Sequence, residues 1–286
     1  MEVGRLEMLL AGGTKAVWNF SGRAACSCLE LIRKAIVPET LPASLPVAAE
    51  VSVADAPRTP GFPPGWRRGE LIRLSREVSA RQLPGNAVEI LLHGTGSGAL
   101  LPLLPRIVWY GFLPKLLRRE LIVAHGALLA MGERGVVVCG PSGAGKSTCA
   151  RRIPPPWRAL CDDAVLISNV GGAYFAQPLP TWSRFVSGEL HPVRIGETVR
   201  LSGIYRLCHS DRERVNGLPP AEQVQILYRQ FYDLNHMWRA GRRNSFWRSL
   251  NEAAVDFAFG AVRKVPVGEL ECSLTGEFWK ELEVLS

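Results

Sequence analysis

From residue 69 onward the chain is built of short apolar runs closed by glycine, proline or paired charges. "GELIRLSREV" and "NAVEILLHG" read as strands bounded by turn residues, and 136–139 reads as a buried strand because Val-Val-Val-Cys has no polar face. "ALCDDAVLIS" has the same apolar character but is interrupted by two acids, and "VPVGELECSL" closes the chain as a strand. Other segments change to a period near 3.6. They are 26–35, the end of "RIVWYGFLPKLLRREL" with Leu113, Leu116, Leu117 and Leu121 on one stripe, a two-turn run from Lys146, and the segments "GLPPAEQVQILYRQFYDLNHMW" and "NSFWRSLNEAAVDFAFGAV". In the first of these last two, Leu227, Phe231 and Leu234 share a stripe. Strand and helix periods in alternation predict an α/β protein. The segment 37–66 breaks this pattern with repeated prolines, which oppose long regular elements. The pattern therefore divides the chain into an irregular N-terminal accessory region, 1–84, and a core, 85–286, that continues to the end.

Composition narrows the class. The 286 residues are 47% hydrophobic and 21% charged, without low-complexity tracts or repeats, as expected of a folded globular chain. A net charge of +8 favours an anionic partner without choosing among nucleotide, acidic peptide, nucleic acid and membrane surface. The basic residues Lys115, Arg118 and Arg119 flank an apolar stripe with no aromatic platform beside them, so they read as a solvated face, and no nucleic-acid partner is expected. The apolar run around "LLPLLPRIVWYGFLP" is cut by Pro, Gly and Arg before the ~20 residues of a membrane helix, and "MLLAGG" is too short for a signal-peptide core. Seven cysteines, several in apolar runs, give no disulfide framework and fit the cytoplasm. Cys26 and Cys28 have no second ligand pair at zinc spacing.

The chemistry concentrates in "RGVVVCGPSGAGKSTCARRI", where a strand, a glycine-rich turn and a helix start surround the G-x-x-x-x-G-K-[ST] pattern of a P-loop. Gly140, Ser142, Gly143, Ala144 and Gly145 would close backbone N–H groups around phosphate oxygens. Lys146 would reach the β/γ-phosphates, Ser147 would give its hydroxyl to Mg²⁺, and Thr148 would continue the cradle into the helix. Only thirteen residues beyond Thr148 begins "CDD", Cys161 to Asp163, which sets Asp162 and Asp163 within an otherwise apolar run. Buried carboxylates are costly unless they meet a metal or hydrogen-bond donors, which gives the pair a functional reading; a turn or edge position is the plain alternative. Two adjacent acids split their pKa values, so one can act as a base while the other stays on a metal.

That short spacing, with "AHGALLAMGERG" ahead of the loop, resembles the HPr serine kinase/phosphorylase group. The matching residues are His125 with Gly126, the loop from Gly140 to Ser147, and Asp162 with Asp163. The resemblance implies a phosphoenolpyruvate-carboxykinase-like P-loop kinase core with a mixed sheet, in which Asp162 takes the proton of the acceptor hydroxyl and His125 supports it. It further implies that Lys146 and Ser147 handle phosphates and Mg²⁺, with Asp163 on the metal side. The group's second glycine-rich signature is absent, and Glu189 in "SGELHPVRIGE" is a weak stand-in, which argues against phosphorolysis and against HPr as substrate. "PLPTWSRF", "GIYRL" and "SLTGEFWKEL" are similar to the kinase-related proteins of peptide-modification clusters of the SynChlorMet cassette type.

The expected function is thus ATP- and Mg²⁺-dependent phosphorylation of a Ser/Thr-type hydroxyl on a peptide, a protein or a small compound. The alternative is a nucleotide-binding regulator or ATPase that acts on a partner. A homo-oligomer stays open, and no membrane contact is expected. Arg184, Arg194, Arg200 and Arg206 are candidate anion clamps, with Arg184 preferred, and "WRAGRRNSFWR", with Trp238 and Trp247 flanking Arg239, Arg242, Arg243 and Arg248, is a solvated helix junction or an acidic-peptide dock.

Overall fold

The computed structural model describes residues 2–56, 61, 67–68, 71–94, 101, 104–180, 192–235 and 245–284. Arg184, Glu189, Trp238, Arg239, Arg242 and Arg243, singled out above, lie outside these residues.

Fifteen strands fall into two sheets among the described residues. The first contains β1 (Val3–Leu10), β2 (Thr14–Ser21), β3 (Val47–Ala56), β4 (Arg67–Arg68), β5 (Leu71–Arg73), β6 (Val78–Gln82) and β7 (Ala87–His93), in the order β1-β2-β3-β7-β6-β5-β4. β3 is parallel to both β2 and β7, and parallel neighbours need a crossover. Helix α1 (Arg23–Ala35) supplies the one from β2 to β3, burying Ala25, Cys28, Leu29, Ile32 and Ala35. Its N-terminus has no cap of its own. Asp55 at the end of β3 accepts from Ala24 N at 3.0 Å and Ala25 N at 2.9 Å, so the crossover is pinned by the strand it leads to.

This regularity departs from the irregular cover expected for 1–84. The proline-free stretch "VAAEVSVADA" that follows Pro46 forms β3 and pairs on both sides.

The second sheet contains β8 (Leu121–Met131), β9 (Arg134–Cys139), β10 (Arg158–Cys161), β11 (Ala164–Val170), β12 (Ala173–Pro178), β13 (Val199–His209), β14 (Arg214–Gly217) and β15 (Val267–Cys272). Parallel and antiparallel pairings mix, and they close a ring, β8 to β11 to β12 to β13 to β9 and back to β8. β8 is buried along nearly its whole length, as its continuous apolar sequence requires. Helix α4 (Lys146–Arg152) and the helix Pro220–Asn235 both pack on it. Helices α2 (Leu104–Tyr110) and α3 (Leu113–Leu117) join the two sheets. Leu121 leaves the expected helical stripe to open β8, because Arg119 adopts a left-handed φ of 62° and ends the helix.

The sheets share one apolar core. Trp18 of β2 stacks edge-on against Phe112, with centroids 5.4 Å apart, and both rings are fully buried. Gln177 of β12 is also fully buried, donating to Leu9 O at 2.8 Å and accepting from Ala11 N at 3.0 Å. One side-chain amide thus satisfies both backbone groups of the β1–β2 turn. Lys115, Arg118 and Arg119 pair with Glu120 or Asp256. No described helix is long and apolar enough to cross a membrane.

Candidate functional site

The site is assembled where β8, β9 and the β10–β11 junction meet. β8 and β9 pair antiparallel with Gly126 opposite Cys139, so His125 arrives beside the end of β9, where the glycine loop begins. Glycine follows the histidine for a steric reason. A Cβ at position 126 would stand 2.9 Å from Val137 Cγ1 and 3.1 Å from Val138 O, closer than packing allows. Gly126 N in turn donates to Asp163 O at 3.1 Å, and Ala164 stands opposite His125 in the β8–β11 ladder. Backbone pairing alone therefore brings the histidine to the acid pair.

The loop 140–145 leaves β9 with Gly143 at φ 83° and Gly145 at φ 99°, left-handed conformations that favour glycine. Ala144 N donates to Pro141 O at 3.1 Å and fixes the turn. α4 is only seven residues long and ends before the proline run at 154–156, as expected from the sequence. A helix this short adds little dipole, so an anion placed here would depend on the loop amides and Lys146.

Lys146 is 7% exposed, and its ammonium donates to Gly140 O at 3.0 Å and Pro141 O at 3.1 Å. Among the described residues no carboxylate comes within ion-pair distance of it. Burial pushes its pKa below the usual lysine range, against the opposing pull of Cys139, Asp163, Asp233 and Asp162. A buried ammonium held by two carbonyls, with acids near but not touching, is a cation still lacking its anion.

The acids interrupt the run as read from the sequence, but they sit in a bend between β10 and β11 rather than inside one strand. Cys161 Sγ contacts Ala164 O at 3.2 Å across that bend, and burial holds this thiol neutral by pushing its pKa up to about 12. Asp162 is 6% exposed, and Asp163 is more open to the cleft. His125 Nε2 stands 3.8 Å from Asp163 Oδ1, too far for a hydrogen bond. Burial, reinforced by Lys146, lowers the His125 pKa to about 4, with Asp233 opposing, so the imidazole is neutral at pH 7 and the contact is not an ion pair. The resemblance implies support of Asp162 by this histidine; the structure puts the ring beside Asp163.

His125, Ser142, Gly143, Gly145, Lys146, Ser147, Thr148, Asp162 and Asp163 line one cleft of ≈ 320 Å³. Gly140 lies at the loop's other flank, and Ala144 packs inward against the neighbouring apolar cluster. Among the described residues no group of three or more His, Cys, Asp or Glu side chains is arranged to hold a metal. The Ser147 hydroxyl and the Asp163 carboxylate, which line the same cleft, are hard oxygens suited to Mg²⁺, which takes one or two protein ligands and completes its shell with phosphate and water.

Sequence reasoning missed two contributors. Asp233 and Gln230, on the helix Pro220–Asn235, border the start of the loop. Their signal was a polar residue next to the Phe231 stripe, with Gln230 3% exposed where an apolar residue belongs. Of the four candidate arginines, Arg206 reaches this border, paired with Glu269. Arg194 and Arg200 are exposed and line neither cleft.

Comparison with known proteins bears on the second sheet. The family model of the SynChlorMet cassette protein ScmC matches residues 108–285, which include the whole second sheet and every residue of the cleft. The chain belongs to the ScmC family. The first sheet lies outside the span that this ScmC match covers. A search of curated proteins returns no match. Among solved structures, the Hpr(Ser) kinase/phosphatase from Coxiella burnetii is similar over 57% of this chain and 91% of its own, at 11% identity and a TM-score of 0.27. Such a loose superposition assigns no residue a role.

Proposed function

We propose that this protein is an ATP-dependent phosphotransferase that acts on a Ser/Thr-type hydroxyl of a peptide, a protein or a small compound, in the cytoplasm. The supporting observation is Lys146, a buried cation that among the described residues has carbonyl partners alone, set in a loop of positive-φ glycines and sharing a cleft with two acids. A triphosphate tail supplies the missing anion. The order of the motifs, and their resemblance to the HPr serine kinase group, agree with a phosphoenolpyruvate-carboxykinase-like P-loop core.

In this reading the amides of residues 142–148 and the Lys146 ammonium hold the β- and γ-phosphates, while Ser147 and Asp163 face the metal. Bound Mg²⁺ would neutralise charge that develops on the phosphate oxygens. Asp162 accepts the proton of the acceptor hydroxyl as its oxygen bonds to the γ-phosphorus. The bond from that phosphorus to the β,γ-bridging oxygen breaks, and ADP leaves with the electron pair. Neutral His125 adds no positive charge beside Asp163, the carboxylate read here as facing the metal.

The test is incubation with γ-labelled ATP, Mg²⁺ and a pool of hydroxyl-bearing peptides and small alcohols, read by mass spectrometry. An 80 Da gain on an acceptor, matched by ADP, is the expected result (the added group is HPO₃, about 80 Da). Release of inorganic phosphate with no labelled acceptor would instead make the protein a nucleotide-hydrolysing regulator.

A further inference from the structure

A second cleft, of ≈ 310 Å³, opens on the other flank of the glycine loop. It begins at Gly140 and Pro141, whose carbonyls hold the Lys146 ammonium, and runs along the helix Pro220–Asn235. We propose that this cleft takes the peptide-like chain of the acceptor, with a backbone N–H donated to Gln230 Oε1, while the acceptor's hydroxyl reaches past the start of the loop to Asp162 in the first cleft. The proposal rests on the phosphotransferase reading and names its substrate class.

Position is the first argument. The lysine of such a loop reaches the β/γ end of the triphosphate, and its tip lies on the two residues where the second cleft starts. The nucleotide's transferable end and the second cleft are therefore neighbours. Asp233, which lines this cleft, acts electrostatically on both Lys146 and His125 across the loop.

Gln230 is the second argument. It is 3% exposed, lines the cleft, and donates through Nε2 to Ile226 O at 3.2 Å. That bond fixes which end of the amide is nitrogen. Oε1 is then a buried acceptor without a hydrogen-bond partner among the described residues. Buried acceptors are rarely left so, and one that borders a cleft is relieved when a donor enters. A peptide offers N–H donors along its length, whereas a phosphate or carboxylate offers none.

The remaining lining fits the same guest. Ile226 gives an apolar floor, and Arg229 with Asp233, 3.8 Å apart, presents both charge signs. The volume lies at the lower end of the roughly 300–1,000 Å³ typical of ligand sites, enough for a short peptide segment rather than a folded surface.

The experiment uses the full chain, a fluorescently labelled pool of serine-containing hexapeptides read by anisotropy without nucleotide, and a separate calorimetric titration with Mg·ATP. The variants are Gln230→Met, which removes the orphan oxygen, and Gln225→Trp, which obstructs the cleft from an exposed position and so spares the core. Expected is peptide affinity reduced by about tenfold or more in both variants, with Mg·ATP affinity unchanged within about twofold. No binding of peptide by the wild type, or equal binding by wild type and Gln225→Trp, overturns the proposal. So does a tenfold loss of Mg·ATP affinity in Gln225→Trp, which would make the cleft the nucleoside's seat. A wild type that binds peptide in this cleft but no Mg·ATP keeps the peptide site and removes the kinase.

Discussion

Two buried lysines separate the halves of the molecule. Lys15, in the first sheet, is 3% exposed, and its ammonium meets Glu7 at 3.3 Å and Pro42 O at 3.3 Å. Lys146, beside the second sheet, is 7% exposed but among the described residues meets carbonyls alone, with burial holding its pKa below the usual range. The first charge is closed by the fold. The second meets no acid at ion-pair distance among the described residues, a state that reduces stability and that the proposed triphosphate would relieve. The same contrast extends outward. The first sheet pins its crossover helix with Asp55 and its opening turn with Gln177, whereas the second places Asp162, Asp163 and Gln230 where their chemistry faces a cleft.

The comparison breaks most sharply at Asp162. Asp162→Asn is expected to lower phosphoryl transfer by roughly 10²–10⁴-fold while Mg·ATP affinity stays within a few-fold, because a general base acts in the transition state and contributes little to binding. Parallel loss of binding would move Asp162 to the metal side. Next in size is the stability contrast of the two lysines, read by urea unfolding. Lys15→Met should cost roughly 1–3 kcal/mol, by leaving Glu7 and Pro42 O without this donor, whereas Lys146→Met should be neutral or stabilising because it removes an uncompensated buried charge. Equal losses would remove the contrast. Gln177→Leu should also cost roughly 1–3 kcal/mol, since Leu9 O and Ala11 N lose their shared partner, and it should leave nucleotide affinity unchanged.

The smallest effect is in the pH dependence of stability. The folded-state pKa of His125, about 4, lies below its ordinary 6.5, so the unfolded chain binds the extra proton first. The neutral ring's contribution is fully present above about 6.5 and is lost as pH falls through 4. His125→Gln should therefore flatten the loss of stability between those pH values in acid titrations, and an unchanged slope would show that the ring is not desolvated.

The loop was legible because its chemistry is local. Glycines, Lys146 and Ser147 lie within one contiguous motif, and the sequence separation to Asp162 is set by one short helix and one strand. The acids' bend was less legible, since "ALCDDAVLIS" looks like one strand until β8 is seen to pair with β10 and β11 in turn. The first sheet was hidden by averaging, because prolines on both sides of β3 made the whole segment look irregular. Gln230 and Asp233 were not legible at all. Nearly seventy residues separate them from Asp162 and Asp163, and only packing of the helix Pro220–Asn235 on β8 brings them to the loop.

The central claim is that the Lys146 ammonium is the seat of a triphosphate. Calorimetric titration of Mg·ATP into wild type and into Lys146→Met at neutral pH tests it directly. The account predicts saturable one-to-one binding by the wild type, weakened by about 10²-fold or more in the variant, the scale expected when a buried charge-assisted contact is removed. Equal affinities, or a wild type that takes up no nucleotide, would contradict it.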